Sequence, residues 1–119
     1  MITESHIHLP LLDNNGNCLA HDLKAITLKL LNAFGGLSIG SVQGMWQNPE
    51  TYQVYNDQCQ RITIAKDWSE SIDCGNRTQE TLLFEIAEEA CRYMDQDCIY
   101  VVTPSGAHFI EPLKTALAA

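Results

Sequence analysis

Apolar residues recur along this chain with two periods, and the switches between them mark its elements. In "SHIHLPLLD" the period is two: Ile7, Leu9 and Leu11 share one side, while His6, His8 and Pro10 share the other. That predicts a first, half-buried strand, with Pro10 at an edge or end because proline has no N–H to give a ladder. "DNNGN" follows as a turn cluster. Leu23, Ile26, Leu30, Ala33 and Phe34 then recur at helical spacing, with Leu19 one turn earlier. They predict a helix over residues 20–34, stopped by Gly35 and Gly36.

"LSIGSVQGMWQ" reads as a second strand, with Val42, Gly44 and Trp46 on one face and Gln43, Met45 and Gln47 on the other. Gly44 is a candidate bulge. "NPE" is a turn, "TYQVY" a short piece continuing a hairpin, and "NDQ" a second turn. "QRITIAK" is the third strand, with Gln60, Ile62 and Ile64 on one face. After the loop "DWSESIDCGN", Asn76 is a helix cap with Gln79 completing a partial capping box. Leu83, Ile86, Ala87, Ala90 and Met94 form the apolar stripe of a helix over residues 77–95. "CIYVV" is a strongly β-prone run, "TPSG" a turn, and "AHFIE" a last short strand or a bent continuation.

The order β-α-β-β-α-β predicts a single α+β domain over residues 1–119. Its expected form is a ferredoxin-like sandwich with two helices on one face of an antiparallel sheet. The uncovered face is then expected to carry His6, His8, Met45, Arg61 and Thr63. The stretches "MWQNPETYQVYND" and "IYVVTPSGAHFI", with an acidic helix before the second, resemble small bacterial and phage ferredoxin-like domains. The resemblance covers most of the chain. It implies that fold and carries over no catalytic residue.

Composition narrows the function classes. A hydrophobic content of 45% over 119 residues is enough for one core. The net charge of −8 argues against direct nucleic-acid binding and against docking on an anionic membrane, while leaving room for a basic protein partner. The start, "MITESHIHLP", has no basic segment or long apolar run, so neither a secretory signal nor a membrane span is expected. Five cysteines, an odd number without C-x-x-C spacing, point to a reducing cytoplasm.

Four constellations could carry chemistry. His6 and His8 project from one side of a strand about 7 Å apart and could share a metal ion, with His108 or an acidic residue as a third ligand. Solvated or interface histidines are the plainer reading. Cys18 and His21 stand at C-x-x-H spacing near a helix start, without the partners of a finger or an acyl-transfer site. Trp46, Tyr52, Tyr55 and Trp68 could line a pocket for a planar ligand, or form cross-strand pairs and cap the core. Glu85, Glu88 and Glu89 make the second helix acidic, which could bind a basic partner or could simply be solvated. No glycine-rich phosphate loop or nucleophile elbow is present.

The sequence alone therefore favours a non-enzymatic, cytoplasmic protein-binding or regulatory domain acting as a homodimer, with no cofactor and no catalytic residue assigned. Pairing of two open sheet faces is the physical basis. Two alternatives stand beside it. One is an acidic mobile-element inhibitor of a nucleic-acid-handling protein. The other is a small ligand- or metal-binding enzyme using the His6/His8 and Trp46/Tyr55 region.

Overall fold

The computed structural model describes residues 1–13, 15–72 and 77–113. Its elements run β1 (Thr3–Pro10), α1 (Ala20–Phe34), β2 (Ser38–Gln47), β3 (Val54–Lys66), α2 (Gln79–Tyr93), β4 (Ile99–Thr103) and β5 (Gly106–Ile110). The five strands form one antiparallel sheet in the order β2-β3-β1-β4-β5. The chain is thus α+β, and the last segment is a true fifth strand rather than a continuation of β4.

The two-residue alternation of β1 is realised as expected. Ser5, Ile7 and Leu9 are buried, and His6 and His8 face the other way. In antiparallel pairs, residues directly opposite each other share a face. Ile7 stands opposite Ile62 on one side and Val101 on the other, so the buried row continues across three strands. Leu23, Ile26, Leu30 and Phe34 of α1 join Leu83, Ile86, Ala87 and Ala90 of α2 in one core cluster with that row. The helices therefore cover the Ile7 face and leave the His6/His8 face open.

Local chemistry fixes the helix ends. Gly35 adopts φ 82°, and its N–H bonds the Leu31 carbonyl at 2.8 Å, the left-handed stop that glycine alone takes without strain. At the start of α2 the cap is Thr78, whose hydroxyl accepts the Thr81 N–H at 3.2 Å. Asn76, the expected cap, lies outside the described residues.

The β2–β3 hairpin departs from expectation. "NDQ" is not a turn: Asn56, Asp57 and Gln58 sit within β3 opposite Met45, Gly44 and Gln43, and Gln43 Nε2 donates to Asn56 Oδ1 at 3.2 Å. The register is unbroken through Gly44, so there is no bulge. The reversal lies at Asn48–Gln53, where the Asn48 side chain accepts the N–H groups of Glu50 and Thr51, and Tyr52 takes φ 60°. Asparagine makes such a turn by standing in for a backbone carbonyl. The Gln58 carbonyl accepts the Leu11 N–H; beyond it, towards Val54, β3 is paired with β2 alone among the described residues. This hairpin end is a two-stranded arm reaching past the sheet.

Register also corrects Met45. It pairs with Asn56 on the side that the helices occupy further along, so it is not part of the open face. Trp46, one position on, is.

The pair Ile39 and Ile62 separates burial from residue type, since the two stand directly opposite but are 52% and 0% exposed. Ile62→Ala should cost about 2–5 kcal/mol in urea unfolding. Ile39→Ala should stay within about 0.5 kcal/mol of the parent.

Candidate functional site

The open face gathers side chains from four adjacent strands into a row. Arg61 Nη2 of β3 donates to His6 Nε2 of β1 at 3.3 Å. The His6 and His8 rings stack with centroids 5.5 Å apart. His8 meets Tyr100 of β4 edge-on at 5.0 Å, and Tyr100 meets Phe109 of β5 at 5.3 Å. The register produces this row: His8 is opposite Arg61, and Tyr100 is opposite Phe109. Phe109 is 68% exposed, a large apolar ring left in water at the sheet edge.

An arginine can only donate, so the His6 nitrogen facing Arg61 carries no proton and the imidazole is neutral. Partial burial, with the Arg61 charge beside it, lowers the His6 pKa against a small opposing effect of Glu4. Burial also lowers that of His8, aided by His6 and Arg61. His8 Nε2 is shielded from water, and no described residue hydrogen-bonds it. An orphaned polar atom of this kind is uncommon and asks for a partner.

This environment answers the metal expectation for His6 and His8. His108 cannot complete their site, because it stands opposite Val101 on the helix side of the sheet, where its ring packs on Phe84 at 4.8 Å. Arg61 supplies a positive charge where a cation would sit. Among the described residues no three metal-ligating side chains converge.

The aromatic candidates separate. Trp46 and Tyr55 are directly opposite on the open face, edge to face at 4.9 Å. They lie six residues along β3 from Arg61, about 20 Å away, so they do not share one small pocket with His6 and His8. Tyr52 is at the tip of the arm, 72% exposed. Trp68 is a core residue: it packs on Phe34, and its indole N–H donates to the Thr3 carbonyl at 2.9 Å.

The acidic candidates are already engaged by cations of the chain. Glu85 is held by Arg77, with Nη2–Oε2 at 2.6 Å, and Glu88 by Arg92 Nε at 2.6 Å, while Glu89 pairs with Lys29. Neither a hydrogen bond nor a ring contact joins Cys18 to His21 among the described residues. Burial pushes the Cys91 thiol up to about 11, with smaller effects of Cys98 and Glu88 in the same direction. It is not a ready nucleophile.

A second polar cluster, unread in the sequence, ties β4, β5 and α2 together on the helix side. The hydroxyls of Thr103 and Ser105 both bond Glu80 Oε1, and His108 Nε2 lies 3.1 Å from Ser105 Oγ. The Ser105 N–H donates to Thr103 Oγ1 at 3.2 Å. Serine, histidine and a carboxylate meet here, but the carboxylate takes the hydroxyls and does not orient the imidazole. That arrangement fastens the β4–β5 turn to the first turn of α2 and is not a nucleophile's relay.

No family model matches the chain, and no curated protein matches it. Its fold is similar to that of a phage SAM lyase in complex with S-methyl-5'-thioadenosine, with a TM-score of 0.60 and 14% identity, covering 91% of this chain and 88% of that one. It is also similar to phage SAM lyase in the apo state, with a TM-score of 0.51 and 16% identity, covering 93% and 82%. At these identities the likeness is one of fold. The expectation of a non-enzymatic protein-binding or regulatory domain is corrected by this finding, since both neighbours carry an enzyme's name. The sequence misled because a flat open sheet face, seen only as a pattern, looks the same whether a protein or a small ligand covers it. No helix among the described residues is long and apolar enough to cross a membrane.

Two measurements follow from this geometry. Unfolded imidazoles titrate near 6.5, and those of His6 and His8 titrate lower in the fold. The unfolded chain therefore binds more protons just below that value, so stability is full above about pH 6.5 and falls as the pH drops through it. The urea midpoint should decline between about pH 7 and 5, and the doubly substituted His6→Gln, His8→Gln chain should flatten that limb. Separately, Thr103→Val should cost about 1–3 kcal/mol in denaturant unfolding, because it removes a buried hydroxyl from Glu80 and from the Ser105 N–H.

Proposed function

We infer that this chain is a small-molecule enzyme of the SAM lyase kind, with the open sheet face as its substrate surface. One observation carries the reading: the likeness to phage SAM lyase extends over 91% of this chain and 88% of the neighbour, so it concerns the whole architecture and not a shared hairpin. The strand order β2-β3-β1-β4 fits a ferredoxin-like core of small phage domains to which β5 adds an edge strand. Among the described residues Cys18, Cys59, Cys91 and Cys98 are free thiols, which suits work in a reducing cytoplasm.

The chemistry such an activity asks for is modest. When a carbon–sulfur bond of a sulfonium breaks, the electron pair goes to sulfur and the thioether leaves neutral, so no acid need protonate it. A lyase adds no water, so the electron-poor carbon must be satisfied from within the substrate, for which the substrate's own carboxylate is available. The protein's part is to bind, to hold a reactive conformation and to limit water. The open face offers suitable groups. Tyr100 and Phe109 give ring faces for a purine or for the sulfonium charge, and the neutral His6 adds no repelling cation.

Purified chain incubated with SAM should release S-methyl-5'-thioadenosine, followed by liquid chromatography with mass detection, at a rate proportional to protein. Phe109→Ala should slow it by about tenfold or less, as expected for one lost stacking contact. No product above the buffer control, together with no calorimetric binding of S-methyl-5'-thioadenosine at millimolar concentration, would defeat the reading.

A further inference from the structure

We propose that Arg61 is the carboxylate-binding residue of the open face, taking the amino-acid end of SAM while the Tyr100–Phe109 end takes the nucleoside. This deepens the reading above and rests on it. The argument begins from charge. The chain is strongly acidic, and Lys29, Arg77 and Arg92 are each paired with a glutamate. Arg61 is not. Its hydrogen bond goes to the uncharged nitrogen of His6, which leaves further N–H donors of the guanidinium directed at no described acceptor. A guanidinium presents a planar fork that matches a carboxylate and forms bonds about twice as strong as neutral ones.

Position supports the assignment. Arg61 pairs with His8 on one side and Gly40 on the other, in the interior of the face that no helix covers. A Cβ added at Gly40 would meet nothing within 4 Å, so there is room beside the guanidinium for a ligand group. The other charged groups on that face are further along the strands. Glu4 is opposite Ala65 and Asp57 is opposite Gly44, each four residues from the Arg61 level, about 13 Å. His6 and His8 lie between, and the shielded Nε2 of His8 lacks the partner that a bound ligand or its water could supply. From β3 to β5 is three strand spacings, about 14 Å, a span that a nucleoside and the long Arg61 side chain can cover between them while the amino-acid tail stays folded.

The two ligands named by the reading separate the idea cleanly, because SAM has a carboxylate and S-methyl-5'-thioadenosine has none. Isothermal titration of each ligand into the parent chain, Arg61→Ala, Arg61→Lys and Gly40→Val tests it, with circular dichroism to check each fold. Arg61→Ala should weaken SAM by about ten- to a hundredfold, the range for a hydrogen bond to a charged group, and leave S-methyl-5'-thioadenosine within about twofold. Arg61→Lys should recover part of the loss. Gly40→Val, a substitution on an exposed strand with space for the side chain, should weaken SAM alone by crowding the guanidinium. If the parent binds both ligands and Arg61→Ala changes neither, or weakens both equally, the assignment falls while the enzyme reading stands. If the parent binds neither, both fall together.

Discussion

The parity of β1 is the constraint on which the rest of this molecule depends. β1 is hydrogen-bonded on both sides, by β3 and by β4, so its eight residues set the facing of three strands at once. A slip of one residue would carry His6 and His8 into the core and turn Ile7 and Leu9 out to water. Burial of a full aliphatic side chain stabilises by about 1.5–3 kcal/mol, so the register is held by several such contributions acting together. The row on the opposite face is a by-product of that same register. Arg61, His6, His8, Tyr100 and Phe109 need no interaction of their own to be aligned, because the core aligns them.

This division separates stability from chemistry. The helix side contains the apolar core cluster and, at its margin, the Glu80 network that fastens the β4–β5 turn. Glu85, Glu88 and Glu89 of α2 are each paired with a cation of the chain, which sets that helix surface apart from the ligand problem. The open side contributes little to the core and is correspondingly free to keep an unpartnered nitrogen and an exposed ring.

Much of the frame was legible because it rests on local signals. The α1 boundaries follow from a 3.6-residue stripe that meets two glycines, and the strand faces from strict alternation. What was not legible depended on pairing. Asn56 and Asp57 are good turn formers, but opposite Gly44 and Met45 they complete a ladder, and tertiary hydrogen bonding outweighs their local preference. For Trp68 the sequence left pocket lining and core capping both open, because its burial comes from Phe34 and Thr3, far away in sequence. His108 looked like a partner for His6 and His8 until the β4–β5 register turned it to the other side. The Glu80 cluster joins residues up to 28 positions apart, and no spacing rule announces it. The open-face row could have been anticipated in part: His6, His8 and Arg61 were assigned to that face from alternation alone. Tyr100 and Phe109 needed the pairing of β1 with β4 and β5.

The arm formed by the ends of β2 and β3 has a consequence of its own. Two strands without a third beside them and without a helix beneath are barely self-supporting. The amide protons of Trp46 and Tyr55 should therefore trade with solvent through small, frequent openings, while those of Ile7 and Val101 wait for the whole molecule to come apart. A segment that can open without unfolding its host is one whose residues can drift over generations without endangering the rest, which makes it the natural place for related chains to diverge.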